Sequence, residues 1–240
     1  MVKKWDICGI EEVLPLECSR YEEAFTAAGQ SMLESLEIFN DPDFETKKGW
    51  KYDCENDGIV IHVKDTAKGR FVAGRAHIGL SAKHLANQFW NHLERDAQYN
   101  DNIREAGRVR LVTDFTDLVK YTSNDIFIIK SREILAGRML REIDGTFLLT
   151  AKSVCLPEEH PDSKTSVRAF LHLGAGRAVP HAEDPEHSCI YDYVTCMDLK
   201  GMMFKSVTNP VLGRATLRDI ENVKRFAEGV LRKEHGYPDE

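Results

Sequence analysis

The chain has 240 residues, of which 42% are hydrophobic and 30% are charged, and its net charge is −7. This composition excludes a disordered chain, and no stretch approaches the roughly 20 apolar residues that cross a bilayer. The chain also lacks the overall positive charge with which proteins bind a nucleic-acid backbone. We therefore expect one domain over residues 1–240, soluble in the cytoplasm, that binds no nucleic acid.

Two helices are predicted in the first part of the chain. The first covers about residues 19–39 and begins at Ser19, which has the spacing of a capping box with Glu22. In such a box each of the two side chains accepts a hydrogen bond from a backbone N–H of the other residue. Ser81 is expected to cap the second helix, whose apolar residues lie four apart and therefore on one face.

Short runs of alternating apolar and polar residues predict strands over most of the remaining chain. Gly174-Ala175-Gly176 is interpreted as a hairpin turn between two of them, because no helix follows it as in a nucleotide-binding loop. Consecutive short strands joined by hairpins favour an antiparallel sheet. The predicted strands are 58–63, 70–78, 108–114, 116–122, 126–143 with a break near Lys130, 145–154, 166–173, 176–180 and 188–198.

The last helix is predicted over about residues 210–235. Asn209 is expected to cap it and Pro210 to occupy its first position, where the missing N–H is tolerated. From Asp198 to His235 there are eight basic and five acidic residues, a charge of +3 that leaves −10 elsewhere. The helix either docks on an anionic membrane surface or presents an ordinary solvated face. An apolar stripe runs along it: Leu212, Thr216, Leu217, Ile220, Val223, Phe226 and Val230.

These elements predict an α+β domain. A strongly curved antiparallel sheet has a concave face. A long amphipathic helix that lies across this face buries its apolar stripe against the sheet. Sheet and helix then enclose either a filled core or a cavity. Periodicity alone leaves both possibilities open.

Several short motifs stand in a characteristic order along the chain. Gly49-Trp50-Lys51 comes first, followed by Ser131-Arg132-Glu133-Ile134 with Arg138 six residues after its arginine. Val167-Arg168-Ala169 and Asp198-Leu199-Lys200-Gly201 come later. Together they resemble the START domains, the lipid-transfer modules related to the steroidogenic acute regulatory protein.

The resemblance covers about residues 25–231. It implies a helix-grip fold, in which a curved nine-stranded antiparallel sheet is wrapped around a C-terminal lid helix, with an internal hydrophobic tunnel for one lipid. We expect a monomeric carrier without a cofactor, rather than an enzyme. The lid helix, Met202-Met203-Phe204 and the loop 156–165 would contact membranes transiently while the lipid is exchanged.

The chain departs from the family pattern in several places. Glu133 replaces the usual Asp, Ile134 the usual aromatic residue, and Met202-Met203-Phe204 the usual Trp-x-Pro. Sterol-binding members have an acid near the position of Val119-Lys120-Tyr121-Thr122, a segment that contains none. The cargo therefore stays open between a sterol, a carotenoid and a phospholipid.

Arg138 is the most informative single residue. Ile134 and Leu140 lie on its face of the predicted strand, so alternation directs the guanidinium toward the interior. A charge inside the protein needs a partner. The resemblance makes Arg138 a polar anchor for the ligand, and the alternative is a structural ion pair with an acid such as Asp114 or Asp117.

Arg132 and Arg168 also match family positions, and a structural role is favoured for both. Alternation turns Arg168 away from the face of its neighbours. The other predicted wall residues are mostly apolar, and each alone is equally well explained by an ordinary core. They are Ile128, Phe147, Leu149, Ala169, Leu171, Tyr193, Leu212, Ala215, Thr216 and Ile220.

Two other functions stay open. An enzyme of the same fold, such as a cyclase or hydrolase acting on a small hydrophobic substrate, would need acid–base groups in the cavity, and the sequence shows few inward pairs of that kind. An interaction module would have a filled core. No metal site is expected, because His160, His181 and His187 lack the spacing of a known one.

Overall fold

The computed structural model describes residues 3–126, 128–157, 160–201 and 205–234, which form a large sheet, a separate two-stranded sheet of β1 and β2, five α-helices and two 3-10 helices. The strands are β1 (Lys4–Ile7), β2 (Ile10–Val13), β3 (Lys51–Asn56), β4 (Ile59–Asp65), β5 (Arg70–Ile78), β6 (Ile103–Leu111), β7 (Thr116–Ser123), β8 (Arg132–Ile143), β9 (Thr146–Ser153), β10 (Val167–Arg168), β11 (Phe170–Pro180) and β12 (Cys189–Asp198). The α-helices are α1 (Glu22–Asn40), α2 (Pro42–Thr46), α3 (Ala82–Asn91), α4 (Asp96–Tyr99) and α5 (Lys205–Glu234).

Nine strands follow one another in the sheet in the order β3-β4-β5-β12-β11-β9-β8-β7-β6. Every neighbouring pair in this order is antiparallel, and the short β10 pairs in parallel with β8. The end strands β3 and β6 do not pair with each other in this order, so the sheet is open. The predicted α+β class and nine-stranded antiparallel sheet are confirmed.

The helices cover the two faces of the sheet. On the face that we call inner, α5 packs against β3, β4 and β5, and α3 packs against β9 and β11. On the outer face, α1 packs against β8, β9 and β11. The predicted stripe of α5 forms much of the inner core, where Ile220 and Ala227 are buried against Ile61 and Leu85.

Where the sequence pattern is regular, the predicted elements are accurate. β5 has the predicted bounds, and β8 begins after a break at Lys130. The side chain of Ser81 caps α3 by accepting a hydrogen bond from the backbone N–H of His84 at 3.2 Å.

The capping box predicted at Ser19 is wrong. Ser19 lies inside a 3-10 helix, Leu16–Tyr21, and α1 begins directly after it at Glu22 with no side-chain cap. The hairpin β1–β2 and the edge strand β3 were not predicted. Their sequences are short and rich in polar residues, so they lack the alternation on which the other strands were recognised.

The hairpin turn predicted at Gly174-Ala175-Gly176 is also wrong, because these residues lie within β11. They pair on one side with β12 and on the other with β9, as in Gly174 opposite Thr195 and Ala151. A glycine inside a strand often marks a site where another group approaches closely. A Cβ on Gly176 would lie 2.9 Å from the hydroxyl oxygen of Tyr191.

The last helix begins earlier than predicted. α5 starts at Lys205, so Asn209 is not its cap and Pro210 lies inside it. The predicted end at His235 lies outside the described residues, as do Met202, Met203 and Phe204. Among the helices described, none has the length and apolar character needed to span a membrane.

Candidate functional site

A cavity of about 280 Å³ lies between the inner face of the sheet and α5. Voids in a packed core rarely exceed a water molecule, whereas small-molecule sites have volumes of roughly 300–1,000 Å³. The cavity is therefore close to the size of a ligand site and too large for a packing defect. Side chains of β7, β8, β9, β11 and β12 form its floor, α3 and α4 one side, and α5 its roof.

Most of the predicted wall residues line this cavity. The side chains come from four strands, β8, β9, β11 and β12, and from the face of α5 that packs on the sheet. They are Arg138, Phe147, Leu149, Leu171, Tyr193, Leu212, Ala215, Thr216 and Ile220. Their contact with a ligand stays a prediction.

Ile128 and Ala169 do not line the cavity, and this part of the prediction is wrong. Ile128 is 72% exposed, because it lies in the loop between β7 and β8, where strand alternation no longer applies. Ala169 is buried between β10 and β11, and its backbone N–H donates to the carbonyl oxygen of Glu133 at 2.9 Å.

Arg138 lies on the inner face of β8 and is 1% exposed. Its Nε and Nη2 donate to the two carboxylate oxygens of Asp117 on β7, at 3.0 and 2.7 Å. Its Nη1 donates to the carbonyl oxygen of Phe89 at 3.0 Å and to the hydroxyl of Tyr121 at 3.4 Å. The guanidinium also lies 5.0 Å from the ring centroid of Trp90. Arg138 therefore lines the cavity and forms a buried ion pair at the same time.

Asp117 serves two arginines. It is fully buried, and its Oδ2 also accepts a hydrogen bond from Nε of Arg108 at 2.8 Å. Burial acts to lower the pKa of Arg138, but the hydrogen bonds with Asp117 raise it above the usual value. The guanidinium therefore remains charged inside the protein.

A second polar group on the wall is Asp96, the first residue of α4. It is 8% exposed, and its Oδ1 accepts a hydrogen bond from the hydroxyl of Tyr99 at 2.7 Å. Burial raises the pKa of Asp96 to about 7, against the opposing effects of Tyr99 and Arg138. Its carboxyl group can therefore gain or lose a proton near neutral pH.

A third polar group comes from the roof. Asp219 of α5 lines the cavity, and its Oδ1 accepts hydrogen bonds from Nδ2 of Asn100 at 3.0 Å and Nδ2 of Asn102 at 2.8 Å. Burial raises the pKa of Asp219, although the two amides act in the opposite direction. Nδ2 of Asn102 also donates to the carbonyl oxygen of Ala215, which ties the loop after α4 to α5.

Sequence reasoning missed both acids, and the expectation of few inward acid–base groups is wrong. Asp219 stands next to Arg218 in a run that resembles a solvated face. The signal that could have found it is spacing, because Asp219 follows Ala215 by four residues and Thr216 by three, on the same side of the helix. For Asp96 the sequence offers no comparable signal.

Arg132 and Arg168 both make structural contacts. Nε and Nη2 of Arg168 donate to Oε1 of Glu133 at 3.1 and 2.6 Å. Arg132 donates to the carbonyl oxygens of Lys130, Leu199 and Lys200, at 2.6, 2.7 and 3.3 Å. Arg132 thereby joins the loop before β8 to the segment after β12, and it also lies on the cavity wall.

The histidines singled out in the sequence lie in separate environments. Nδ1 of His187 is 2.8 Å from Oδ1 of Asp184, and the ring of His181 packs edge-on against that of His77. The carbonyl oxygen of His160 accepts a hydrogen bond from Arg168. Within the described ranges, no three or more His, Cys, Asp or Glu residues are grouped as a metal site.

Comparison with known proteins places this architecture in a family. The START domain family model matches residues 30–228. The chain belongs to the START domain family. A relative in Caenorhabditis elegans, steroidogenic acute regulatory-like protein 1, is 32% identical over 215 residues, which cover 89% of this chain and 83% of the relative.

Solved structures confirm the fold of this START domain. Human StAR-related lipid transfer protein 5 superposes with a TM-score of 0.75 at 17% identity, over 88% of this chain and 99% of that one. Human STARD10 superposes with a TM-score of 0.69 at 16% identity, over 85% and 82% of the two chains. The resemblance seen in the sequence motifs and the predicted helix-grip fold are therefore confirmed.

The pairing of β7 with β8 places an acidic residue beside Arg138, two positions before the segment in which one was expected. The segment Val119–Thr122 contains none, but Asp117 is the direct cross-strand partner of Arg138. Residues opposite each other on neighbouring strands share a face and lie close together. The arginine on the wall therefore has a carboxylate partner on the adjacent strand.

Proposed function

We propose that this START domain binds one lipid in the cavity under α5 and carries it through the cytoplasm between membranes. The observation that supports this most directly is the cavity itself, which is ligand-sized, mainly apolar and covered by a helix. The names of a relative and of a structural neighbour, a steroidogenic acute regulatory-like protein and a lipid transfer protein, agree with this class of ligand.

The energy of shielding explains why such a carrier needs a membrane. Removing about 400 Å² of apolar ligand surface from water at ~25 cal/mol per Å² stabilises the complex by roughly 10 kcal/mol. A complex of that stability would release its lipid slowly into water. We therefore expect exchange at a membrane, where the lipid passes directly between the apolar cavity and the apolar interior of the bilayer.

The loop between β7 and β8, residues 124–126 and 128–131, is the membrane contact that we propose and is called the gate loop below. Ile126 and Ile129 line the cavity, whereas Ile128 between them points outward. Lys130 is also exposed, with its ammonium 2.9 Å from a carboxylate oxygen of Asp125. An exposed apolar side chain beside a basic one is suited to the surface of an anionic membrane.

Three basic residues of α5 are paired with acids from other parts of the chain. Arg218 and Arg225 lie 2.9 and 3.5 Å from the carboxylate of Asp101, and Lys224 lies 2.6 Å from that of Asp57. These cations bind the acidic body of the protein and so attach the lid helix to it. Lys130 is paired as well, but the gate loop exposes Ile128 beside it, whereas none of the exposed large apolar side chains in the described residues lies on α5. We therefore place the first membrane contact at the gate loop and not along this face of α5.

Native mass spectrometry of the purified protein, followed by lipid extraction, tests the binding. We expect one lipid per chain and transfer of that lipid between two populations of vesicles. A chain that holds no lipid and transfers none would contradict the proposal.

The variant Ile128→Asp tests the gate loop. Burying an isoleucine side chain contributes roughly 1.5–3 kcal/mol to the free energy of membrane binding, and the variant loses this contribution. Transfer to anionic vesicles is therefore expected to slow by about tenfold or more, while the amount of bound lipid is unchanged. Leu16→Asp is the matched control, because Leu16 is 84% exposed on the 3-10 helix before α1. Equal transfer rates for the two variants would show that the gate loop is not the contact.

A second candidate is an enzyme that acts on a small hydrophobic substrate. The observation that favours it is Asp96, whose pKa of about 7 would suit a general acid or base beside a bound molecule. Mass spectrometry of the bound compound before and after prolonged incubation distinguishes the two functions. An unchanged compound supports the carrier, and chemical conversion that is lost in Asp96→Asn supports the enzyme.

A further inference from the structure

The polar groups on the cavity wall differ in how far their hydrogen-bonding capacity is used. Four of the five N–H groups of Arg138 are engaged by Asp117, Phe89 and Tyr121. Its positive charge is neutralised by a carboxylate at ion-pair distance. Arg138 therefore has one N–H group and no unneutralised charge with which to bind an anionic headgroup.

The two acids on the cavity wall, Asp96 and Asp219, have the reverse character. Oδ1 of Asp219 accepts two amide hydrogen bonds, but its Oδ2 accepts none from the described part of the chain. Asp96, which is more than nine-tenths buried, likewise uses Oδ1 for Tyr99, while Oδ2 has no donor within the described ranges. Both residues line the cavity.

A third observation comes from the floor. Thr195 on β12 lines the cavity and is 6% exposed, and its hydroxyl has no hydrogen-bond partner among the described residues. Buried polar groups in native proteins are normally paired, so unpaired ones in a ligand-sized cavity indicate where a ligand supplies the missing partner.

Asp219 is also the best fixed of these groups. Asn100 and Asn102 hold its Oδ1, and Nδ2 of Asn222 in turn donates to Oδ1 of Asn100 at 2.9 Å. The backbone N–H of Asn102 donates to the same Oδ1 of Asn100 at 3.0 Å. The position of Oδ2 is thus set before any ligand arrives, which reduces the entropy lost on binding.

We propose that Oδ2 of Asp219, on the roof of the cavity, accepts a hydrogen bond from a hydroxyl group of the bound lipid, and that the cargo is a neutral lipid alcohol. This inference rests on the proposed lipid carrier. A phosphate-bearing lipid is disfavoured, because its anion would enter a space that has two carboxyl groups on its wall and an arginine already paired.

Two lipids that differ only at the polar atom provide the test, cholestanol and the corresponding ketone cholestanone. The alcohol donates a hydrogen bond, and the ketone only accepts. Competition between them is measured by native mass spectrometry at about pH 8, well above the ordinary range of carboxyl pKa values. The wild-type protein is expected to prefer the alcohol by about ten- to a hundredfold, the effect of one hydrogen bond to a charged group.

Asp219→Asn reverses the chemistry at one atom. The amide oxygen still accepts from Asn100 and Asn102, while an N–H donor replaces Oδ2. The preference for the alcohol is expected to fall to about equal binding or to invert in favour of the ketone. Asp219→Leu, which has no polar atom there, should bind the two lipids equally and serves if the asparagine variant does not fold.

Asp101→Asn is the matched control. Asp101 also contacts α5, through Arg218 and Arg225, but it does not line the cavity and its side chain is 54% exposed. It should keep the wild-type preference. If the Asp219 variants keep the preference for the alcohol, the role of Asp219 is wrong, but the proposed lipid carrier is not contradicted. A wild-type protein that binds neither these lipids nor any extracted one would overturn both.

Discussion

Two buried arginines on one strand show how differently the two faces of this sheet are built. Arg138 and Arg141 lie three residues apart on β8, so they point to opposite faces, and each is 1% exposed. Arg138 faces the cavity. Arg141 faces the outer layer, where it pairs with Glu12 of the hairpin β1–β2 and lies 5.6 Å from the ring centroid of Phe115.

The surroundings of the two arginines explain the difference in function. On the outer face, Glu12 accepts hydrogen bonds from the hydroxyls of Thr113 and Thr116 as well as from Arg141. On the inner face, neighbouring acids keep an oxygen free toward the cavity. A buried charge is therefore not by itself evidence of a ligand site. A ligand can bind only where a cavity lies beside the charge.

The largest expected effect is on stability and belongs to the outer face. Arg141→Leu leaves Glu12 buried with only two hydroxyl partners, and breaking a buried pair in this way costs about 3–5 kcal/mol. Urea unfolding measures the loss. Arg70→Leu, which breaks a pair with the more exposed Asp65, should cost no more than about 1 kcal/mol. Similar losses for both variants would remove the distinction that we draw.

The next effect is a pH dependence that belongs to the inner face. The pKa of Asp96 is raised to about 7 in the folded protein, so the folded state binds the proton more tightly than the unfolded state. The contribution of Asp96 to stability is therefore greatest at low pH and is lost as the pH rises toward 7.

Asp96→Asn should remove this dependence. Between about pH 5 and pH 8, the free energy of unfolding of the wild-type protein is expected to fall by about 2 kcal/mol more than that of the variant. Urea titrations at the two pH values give both numbers. Parallel changes in the two proteins would mean that Asp96 is ionised throughout.

A smaller loss of stability than in Arg141→Leu is expected for Arg138→Leu. Asp117 keeps its hydrogen bond to Arg108, so no unpaired carboxylate is created, and the loss should be about 1–2 kcal/mol. Lipid selectivity, measured by native mass spectrometry with mixed lipids, should change in this variant and not in Arg141→Leu. Unfolding of Arg138→Leu would instead make the pair structural, like its outer counterpart.

Much of the fold could be predicted because regular patterns reflect regular burial. The bounds of β5, the inward side of Arg138 and the stripe of α5 all follow from periodicity. Asp117 was one of two acids considered for Arg138, but choosing it required the register of β7 against β8, which sequence patterns do not give.

The rest of the site depends on contacts that no local pattern encodes. Gly174 and Gly176 resemble a turn, yet they leave room for Leu171 and Tyr191 beside the cavity. Ile128 was expected on the wall because it lay in the predicted strand 126–143, but it belongs to the loop before β8 and points outward. Asp219 was missed because charge in a helix usually marks the solvated side.

The alternation of β8 also has a consequence for how such a protein can change over evolutionary time. Leu135 and Met139 of this strand pack into the outer clusters, whereas Ile134 and Arg138, which alternate with them, line the cavity. Substitutions on one face can therefore accumulate without loosening the other. A new cargo would then arise from a few replacements on the inner face, while the fold is inherited unchanged.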